Sequence, residues 1–310
     1  MRIVFMGTPE SAVPSLQRLL DDGHEIVAVW TQPDKPAGRH GKIHSSPVKD
    51  FALASGLRVE QPSKIKTNEA KRLFSSYEAE VAVVVAYGRI LPAEFLRAPR
   101  RGCINVHFSL LPLYRGAAPA NWAIVNGEAK TGVTTMFIEE DLDTGPILLQ
   151  RDTPIGETET APELMQRLSA IGAKLLGETL SQLDAITPRP QHHDDATFAP
   201  LLSRQDGVVD WSRNAATIER CVRGFQPWPT AYTHYKSHRL IIWKAAAEAS
   251  ALDAQAGEVI FAHGDDLLVK CADETALRLL EVQPEAKRRM SVRDFLNGTH
   301  LKVGDSFGQV

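Results

Sequence analysis

Two kinds of apolar pattern alternate along the first half of the chain and predict an α/β fold. Arg2–Met6 and Glu25–Trp30 are short apolar runs, and between them the segment 13–20 carries apolar side chains at helical spacing. A strand, a helix and a second strand in this order predict a right-handed crossover and therefore a parallel sheet. The run Val81–Ala86 is entirely apolar and mostly β-branched, which is typical of a central strand in such a sheet. We therefore predict a Rossmann-like parallel sheet covered by helices.

The remainder of this half extends the same pattern. Ile104–Phe108 and Thr131–Ile138 alternate between apolar and polar residues, as strands do, and Ala161–Leu183 has the spacing of a long amphipathic helix. The first turn, after Met6, has a single glycine and lacks the G-x-G-x-x-G spacing that holds a dinucleotide pyrophosphate. NAD and FAD are therefore not expected as cofactors.

The pattern changes after residue 183 and predicts a second domain. Asp184–Gln205 carries three prolines and little periodicity, which indicates a linker. Short apolar runs separated by turn residues follow it, at Leu240–Trp243, Gly257–Ala262, Leu267–Cys271 and Leu277–Val282. Such runs predict a small β-barrel, of the oligonucleotide-binding (OB) type. The expected organisation is a domain at 1–189, a linker at 190–206 and a second domain at 207–310.

Composition limits the class of protein. The 310 residues are 43% hydrophobic and 24% charged, values typical of an ordinary globular protein. No apolar run reaches membrane-spanning length, and the first residues lack a cleavable signal pattern. The three cysteines are isolated and form neither a disulfide framework nor a C-x-x-C metal motif. We expect a cytoplasmic protein with no membrane partner and no metal.

The candidate chemistry begins on the strand that contains Asn105 and His107. Alternate residues of a strand project from the same face, so this amide and this imidazole are expected to lie side by side. Together they could hold a carbonyl oxygen as negative charge develops on it, which acyl transfer requires. The alternative is that both are structural polar groups whose hydrogen bonds are satisfied. After Ser109 the pattern becomes a loop, at the sheet edge where sites of open α/β sheets lie.

Asp143 stands out from the acidic stretch 139–143 that contains it. Thr144-Gly145-Pro146 fixes a tight turn directly after it, so its carboxylate would be held on a rigid element and could orient His107. The neighbouring acids are interpreted as a solvated turn.

Positive charge is concentrated in two segments although the formal net charge is -3. The loop Thr31–Lys49 is rich in proline, glycine and cations, and it is either a solvated surface loop or a phosphate-binding one. The segment Trp211–Lys244 contains six cations, Arg220 and Arg223 among them, and one anion. A basic face on a small β-barrel suits a nucleic-acid phosphate backbone.

Several motifs, taken together, resemble one family over essentially the whole chain. They are N-V-H at 105–107, S-L-L-P at 109–112, Y-R-G-A-A-P at 114–119, D-L-D-T-G-P at 141–146 and F-Q-P-W-P-T-A-Y-T at 225–233. With the opening M-G-T-P-E and the loop T-Q-P-D-K-P-A-G-R, they are similar to the methionyl-tRNA formyltransferase family. The N-x-H and S-L-L-P motifs alone mark the wider class of enzymes that use formyltetrahydrofolate.

The resemblance implies transfer of a formyl group from 10-formyltetrahydrofolate to the amino group of methionine on initiator tRNA, by a monomeric enzyme without a metal. It implies that Asn105, His107 and Asp143 are catalytic. The folate-binding positions that it implies are Ser109, Leu110, Leu111, Pro112, Arg89, Ile90 and Leu91.

For the tRNA partner, the resemblance makes Thr31–Lys49 the loop that enters the acceptor stem, with Arg39 and Lys42 as its leading contacts. The second domain, with Arg220 and Arg223, would bind the tRNA body.

Two alternatives remain on the sequence alone. A related formyltransferase or deformylase acting on water, an amino sugar or a purine precursor would use the same Asn105, His107 and Asp143. A nucleic-acid-binding module without catalysis would account for the second half and leave the first half unexplained.

Overall fold

The computed structural model describes residues 1–37 and 42–308, and the chain divides into two compact units. The first unit comprises Met1–Pro119, Lys130–Pro154 and Met165–Pro200, and the second comprises Ala120–Ala129, Ile155–Leu164 and Leu201–Val310. The domain limits expected from the sequence stay a prediction.

The strands and helices follow one another in the order that the apolar pattern predicts for an α/β domain and then a β-rich one. The strands are β1 (Arg2–Gly7), β2 (Glu25–Trp30), β3 (Lys35–Ala37), β4 (Lys42–His44), β5 (Val59–Glu60), β6 (Val81–Val85), β7 (Cys103–His107), β8 (Arg115–Gly116), β9 (Lys130–Phe137), β10 (Ile147–Pro154), β11 (Phe198–Ala199), β12 (Ala231–Tyr235), β13 (His238–Ala249), β14 (Val259–His263), β15 (Asp266–Lys270), β16 (Thr275–Pro284) and β17 (Met290–Ser291). The α-helices are α1 (Val13–Asp21), α2 (Pro47–Ala54), α3 (Asn68–Ser76), α4 (Ala93–Arg97), α5 (Pro119–Val125), α6 (Ala161–Ser181), α7 (Ala215–Gly224) and α8 (Val292–Asn297).

The main sheet of the first unit has the strand order β10-β9-β7-β6-β1-β2-β5. The strands from β7 to β5 pair in parallel, and the strand order reverses at β1, which lies between β2 and β6. In open α/β sheets, ligands bind outside the carboxyl ends of the strands next to such a reversal. A site is therefore expected at the carboxyl ends of β1 and β6, and the carboxyl end of β7 lies next to them at the same edge.

The sheet is mixed rather than purely parallel, which the apolar pattern did not indicate. β9 runs antiparallel to β7, and β10 runs antiparallel to β9. The apolar pattern did not predict β10, because the second half of this strand is largely exposed and its side chains do not alternate between apolar and polar. A short connection joins β9 to β10, and such connections favour antiparallel pairing.

One face of the sheet is covered by an aromatic cluster. Trp30 of β2 meets Phe74 of α3 and Phe95 of α4 edge to face, with ring centroids 5.4 Å apart in both pairs. Phe74 and Phe95 stack with their centroids 4.0 Å apart. Aromatic pairs in these geometries add about 0.5–1.5 kcal/mol beyond their area burial. This packing holds α3 and α4 on that face.

The opposite face is covered by α6, which approaches β7 closely at Gly172. A Cβ on Gly172 would lie 2.9 Å from Cγ1 of Val106, so a larger residue would push the helix away. Val106 therefore points to α6, and Asn105 and His107, its neighbours in β7, point to the other face. In the part of the chain that is described, no helix is both long and apolar enough to cross a membrane.

The second unit is built on an antiparallel sheet with the order β12-β13-β16-β15-β14, and β17 pairs with β16. Its core is one apolar cluster around the inward faces of these strands, with α7 and α8 packed against it. The predicted fold class is confirmed: a Rossmann-like α/β domain is followed by a second domain of antiparallel strands, as expected for a small OB-like β-barrel.

Candidate active site at the carboxyl ends of β6 and β7

Asn105 lies on β7, opposite Val84 of β6 and Met136 of β9. Its side chain is partly exposed, and among residues 1–37 and 42–308 its amide has no hydrogen-bond partner. A side-chain amide carries two donors and one acceptor. These groups are therefore available to a ligand.

His107 ends β7 and is almost enclosed, with 6% of its side chain exposed. Its Nε2 lies 3.0 Å from the carbonyl oxygen of Tyr114. Because a carbonyl only accepts hydrogen bonds, Nε2 carries a hydrogen and donates it. Nδ1 is left facing Asp143, at 3.7 Å from its Oδ2 atom, and it bears a hydrogen only when the ring is protonated.

Asp143 sits on a tight turn with a φ of 53°, in the left-handed region that few residues other than glycine adopt. The backbone N–H of Gly116 donates to its Oδ2 at 2.8 Å, which orients the carboxylate. The turn also needs its glycine, because a Cβ on Gly145 would lie 1.9 Å from the carbonyl oxygen of Phe137. The structure thus places Asp143 beside His107, at a distance longer than a direct hydrogen bond.

The loop that follows β7 is shaped by internal hydrogen bonds. The Ser109 hydroxyl is buried and donates to the carbonyl of Leu113 at 2.6 Å. Thr134 of β9 donates to the Ser109 carbonyl at 2.7 Å and accepts from the backbone N–H of Leu111 at 3.1 Å. Gln150 adds a bond to the Leu111 carbonyl at 2.9 Å. Ser109 therefore shapes the loop, and it is Leu110 and Pro112 that remain partly exposed.

The segment 87–91 follows β6, and only some of its hydrogen-bonding groups have partners inside the protein. Burial raises the pKa of Tyr87 to about 12, so its hydroxyl stays protonated. Arg89 donates to the side-chain oxygen of Gln32 and to the carbonyl of Pro62. In the described part of the chain, the backbone N–H groups of Arg89, Ile90 and Leu91 have no hydrogen-bond partner.

These donors lie beside an exposed apolar side chain. Ile90 is exposed and Leu91 is buried. Unpaired backbone donors next to an apolar surface suit a flat heterocycle that offers hydrogen-bond acceptors at its edge.

Gln191 joins the site although it lies in the predicted linker and no sequence pattern indicates it. Gln191 is buried, and its side-chain NH2 donates to the carbonyls of Asp143 and Gly145. Its oxygen accepts from the guanidinium of Arg115, which is buried as well. Neither periodicity nor motif spacing marks such a residue, because its partners are distant along the chain.

The basic residues expected to contact nucleic acid differ in their surroundings. Arg39 lies outside the described residues, and Lys42 begins β4 but its side chain is not described. Lys49 is paired with Asp34 at 2.6 Å. Hydrogen bonds from Gln61 and then from Lys49 lower the pKa of Asp34.

Arg220 and Arg223 make contacts inside the second unit. Arg223 pairs with Glu219 at 2.6 Å and donates to the carbonyl of Glu159 at 2.9 Å. Arg220 donates to the carbonyl of Val125 at 3.3 Å. Their role in nucleic-acid binding stays a prediction.

Within residues 1–37 and 42–308, no group of three or more His, Cys, Asp or Glu side chains is arranged to hold a metal ion.

Comparison with known families divides the chain into two matching parts. Residues 1–180 match a family model described as Formyl transferase, and residues 201–300 match one described as Formyl transferase, C-terminal domain.

Curated relatives named methionyl-tRNA formyltransferase resemble the chain over nearly its full length. The protein of Caldanaerobacter subterraneus subsp. tengcongensis is 48% identical over 307 residues, which cover 98% of this chain and 99% of that protein. The protein of Alkaliphilus oremlandii is 45% identical over 311 residues and covers 100% of both.

Solved structures share the fold at lower identity. The N-formyltransferase of Helicobacter canadensis, solved with folinic acid and dTDP-3-aminofucose, superposes with a TM-score of 0.67 at 18% identity, over 91% of this chain and 98% of that one. HypX from Aquifex aeolicus, in complex with tetrahydrofolic acid, gives a TM-score of 0.64 at 17% identity, over 99% of this chain and 48% of HypX. This chain thus spans about half of HypX. Such likeness supports the fold alone.

The hydrogen bonds around Thr134 lead to a stability prediction. Thr134→Val keeps the side-chain size but leaves the Leu111 N–H without its partner inside the protein. We expect the free energy of unfolding to fall by about 1–3 kcal/mol, measured by urea denaturation. Asn105→Ala, which removes an amide without a described partner, should change it by only about 0.5 kcal/mol. Equal stability of Thr134→Val and wild type would show that this hydroxyl does not hold the loop.

Proposed function

This chain belongs to the methionyl-tRNA formyltransferase family, and on that premise we propose that it transfers the formyl group of 10-formyltetrahydrofolate to the amino group of methionine on initiator tRNA. The observation that carries the proposal is that Asp143 lies 3.7 Å from His107 at the carboxyl end of β7, the strand on which Asn105 shares a face with His107. An amide, an imidazole and a carboxylate are the groups that this acyl transfer requires.

Asn105 supplies stabilisation of the oxyanion. When the amine attacks the formyl carbon, the carbonyl oxygen becomes negatively charged, and donors aimed at it lower the barrier. The Asn105 amide has no described partner to give up, so it can donate to that oxygen without breaking an internal hydrogen bond.

His107 supplies a second donor in its protonated form. Its Nε2–H is committed to the Tyr114 carbonyl, which fixes the ring orientation. The distance of 3.7 Å from Nδ1 to the Asp143 carboxylate leaves the Nδ1 proton only partly engaged. We assign that proton to the oxyanion, with the carboxylate stabilising the charged ring.

Asp143 acts on the proton of the attacking amine. The amine must lose a proton after attack, and the departing nitrogen of the donor must gain one. The Asp143 carboxylate is oriented by the Gly116 N–H, and it would take up the proton of the amine and pass it to the departing nitrogen through water.

The folate donor is proposed to bind along the loop after β7 and the segment after β6. Its ring would accept or donate hydrogen bonds at the free backbone groups of Arg89, Ile90 and Leu91, beside the Ile90 side chain. Leu110 and Pro112, which are partly exposed, would form the other wall, and the buried Ser109 and Leu111 would set the shape of their loop. The donor supplies the formyl group, and no metal is used.

The acceptor is proposed to be initiator methionyl-tRNA, bound in part by the second unit. Arg39 and Lys42 remain proposed contacts of the first unit. In the second unit, Lys287 and Arg288 are exposed in the turn between β16 and β17, and we propose them as phosphate contacts ahead of Arg220 and Arg223. The enzyme would act as a monomer in the cytoplasm, where charged tRNA is consumed.

A panel of acceptors tests the proposed function. The purified protein is mixed with 10-formyltetrahydrofolate and, separately, with charged initiator tRNA, free methionine, an amino sugar nucleotide, glycinamide ribonucleotide or buffer alone. We expect formyl transfer to methionyl-tRNA and little release of formate into buffer. Preference for any other acceptor, or rapid hydrolysis, would replace this assignment with the corresponding formyltransferase or deformylase.

Removing one oxyanion donor should suppress turnover while binding persists. We expect Asn105→Ala and His107→Ala each to lower kcat by about a hundredfold to a thousandfold, because the transition state then has one hydrogen-bond donor fewer. Affinity for methionyl-tRNA, measured by filter binding, should be unchanged. Near-normal kcat in either variant would refute its assigned role.

The salt dependence of tRNA binding distinguishes exposed cations of the second unit, such as Lys287 and Arg288, from cations bonded inside it, such as Arg223. The double variant Lys287→Glu, Arg288→Glu should weaken tRNA binding and lower the slope of log affinity against log salt by about 1 for each phosphate that the protein no longer neutralises. Its free energy of unfolding should stay within about 0.5 kcal/mol of wild type. Arg223→Ala, which breaks the pair with Glu219, should lower stability and leave the slope unchanged. If Arg223→Ala lowered the slope and the double variant did not, Arg223 rather than Lys287 and Arg288 would contact phosphate.

A further inference from the structure

We propose that Gln191 is a positioning residue that sets the Asp143 carboxylate against His107, an inference that rests on the proposed formyl transfer. The side chain of Gln191 does not face the reacting atoms. Its effect would pass through the backbone of the turn that carries Asp143.

Every hydrogen-bonding position of the Gln191 amide is used. Its Nε2 donates to the carbonyl of Asp143 at 2.9 Å and to the carbonyl of Gly145 at 2.7 Å. Its Oε1 accepts from Nε of Arg115 at 3.1 Å and from Nη2 at 2.7 Å. An amide offers two hydrogens and two lone pairs, so this set is complete. Only 7% of the residue is exposed, so water does not compete for these hydrogen bonds.

These hydrogen bonds join the turn that carries Asp143 to the segment that contains Arg115 and Gly116, and the distance between the two sets the position of the Asp143 carboxylate. Asp143 adopts a left-handed φ of 53°, a conformation that costs free energy for most residues other than glycine and that aspartate tolerates. Gln191 holds the backbone of that turn, and the N–H of Gly116 holds its carboxylate. Arg115 precedes Gly116 directly, so Gln191 ties both segments to one another.

Arg115 explains why this position carries an amide. Arg115 is 4% exposed, and in the described residues the partners of its guanidinium are the Gln191 oxygen and Nδ1 of His193, with no carboxylate. A buried cation needs acceptors. Glutamine provides an acceptor for Arg115 and, on its other side, two donors for the turn.

Because the oxygen of Gln191 binds Arg115 and its NH2 group binds the turn, one substitution can remove the bonds to the turn and keep the bond to Arg115. Gln191→Glu keeps an acceptor for Arg115 and adds a favourable charge, but it removes both donors and turns an oxygen toward two carbonyls. The protein should stay folded while the turn at Asp143 shifts. Gln182→Glu makes the same chemical change at an exposed residue just beyond α6 and serves as the matched control.

For Gln191→Glu we expect kcat to fall by about tenfold to a hundredfold, because misplacing a catalytic group by about 1 Å has effects of this size. KM for the folate donor should stay within about twofold, and the melting temperature should not fall. In an Asp143→Asn background, adding Gln191→Glu should cost less than about twofold more, because both changes act on one group. Gln182→Glu should match wild type throughout.

Two results would overturn the proposal. One is a normal kcat in Gln191→Glu. The other is the same fold-reduction of kcat with and without Asp143→Asn, which would indicate a general structural effect. If wild type transferred no formyl group to methionyl-tRNA, the proposed function would fail by itself. The positioning role would then be judged from the His107 ring resonances in NMR spectra, which Gln191→Glu should shift and Gln182→Glu should not.

Discussion

The distance of 3.7 Å between the Asp143 carboxylate and the His107 ring depends on a turn that hydrogen bonds from two distant parts of the chain hold in place. Asp143 is held in a left-handed conformation by bonds at both of its ends: the Gly116 N–H binds its carboxylate and the Gln191 amide binds its carbonyl. These partners lie 27 and 48 residues away along the chain. This arrangement therefore depends on the folding of the first unit, and the carboxylate that we propose as catalytic is held in place without being part of a helix or strand.

The sheet supplies the other half of the site through the alternation of side chains in β7. Because α6 packs closely on Val106, the polar residues on either side of it must face away from the helix. One of them, His107, has its ring fixed by a backbone carbonyl, while the other, Asn105, has no described partner. Because Asn105 is partly exposed, its amide can exchange water for a ligand that accepts its hydrogen bond without breaking a bond inside the protein. This difference between two neighbouring residues is what makes the position suited to binding a developing negative charge.

The cations of the second half differ in whether their charged groups are already bonded inside the protein. Arg220 and Arg223 contribute to the basic character of the segment 211–244, yet their guanidinium groups bind backbone carbonyls and Glu219 inside the second unit. Guanidinium donors that are already engaged are poor candidates for phosphate contacts, since a phosphate would have to displace them. Lys287 and Arg288 lie outside that segment, but both side chains are exposed and their charges are therefore accessible to a phosphate.

Local order in the sequence determined the alternation of strands and helices, the change to short strands in the second half and the shared face of Asn105 and His107. These features follow from periods of two and 3.6 residues, which each segment expresses by itself. The antiparallel pairing of β9 with β7, the hydrogen bonds of Gln191 to the Asp143 turn and the bond of Arg223 to the Glu159 carbonyl were decided only by the tertiary structure. Each depends on residues that are far apart in the chain and meet only in the folded protein, so no short-range pattern could record them.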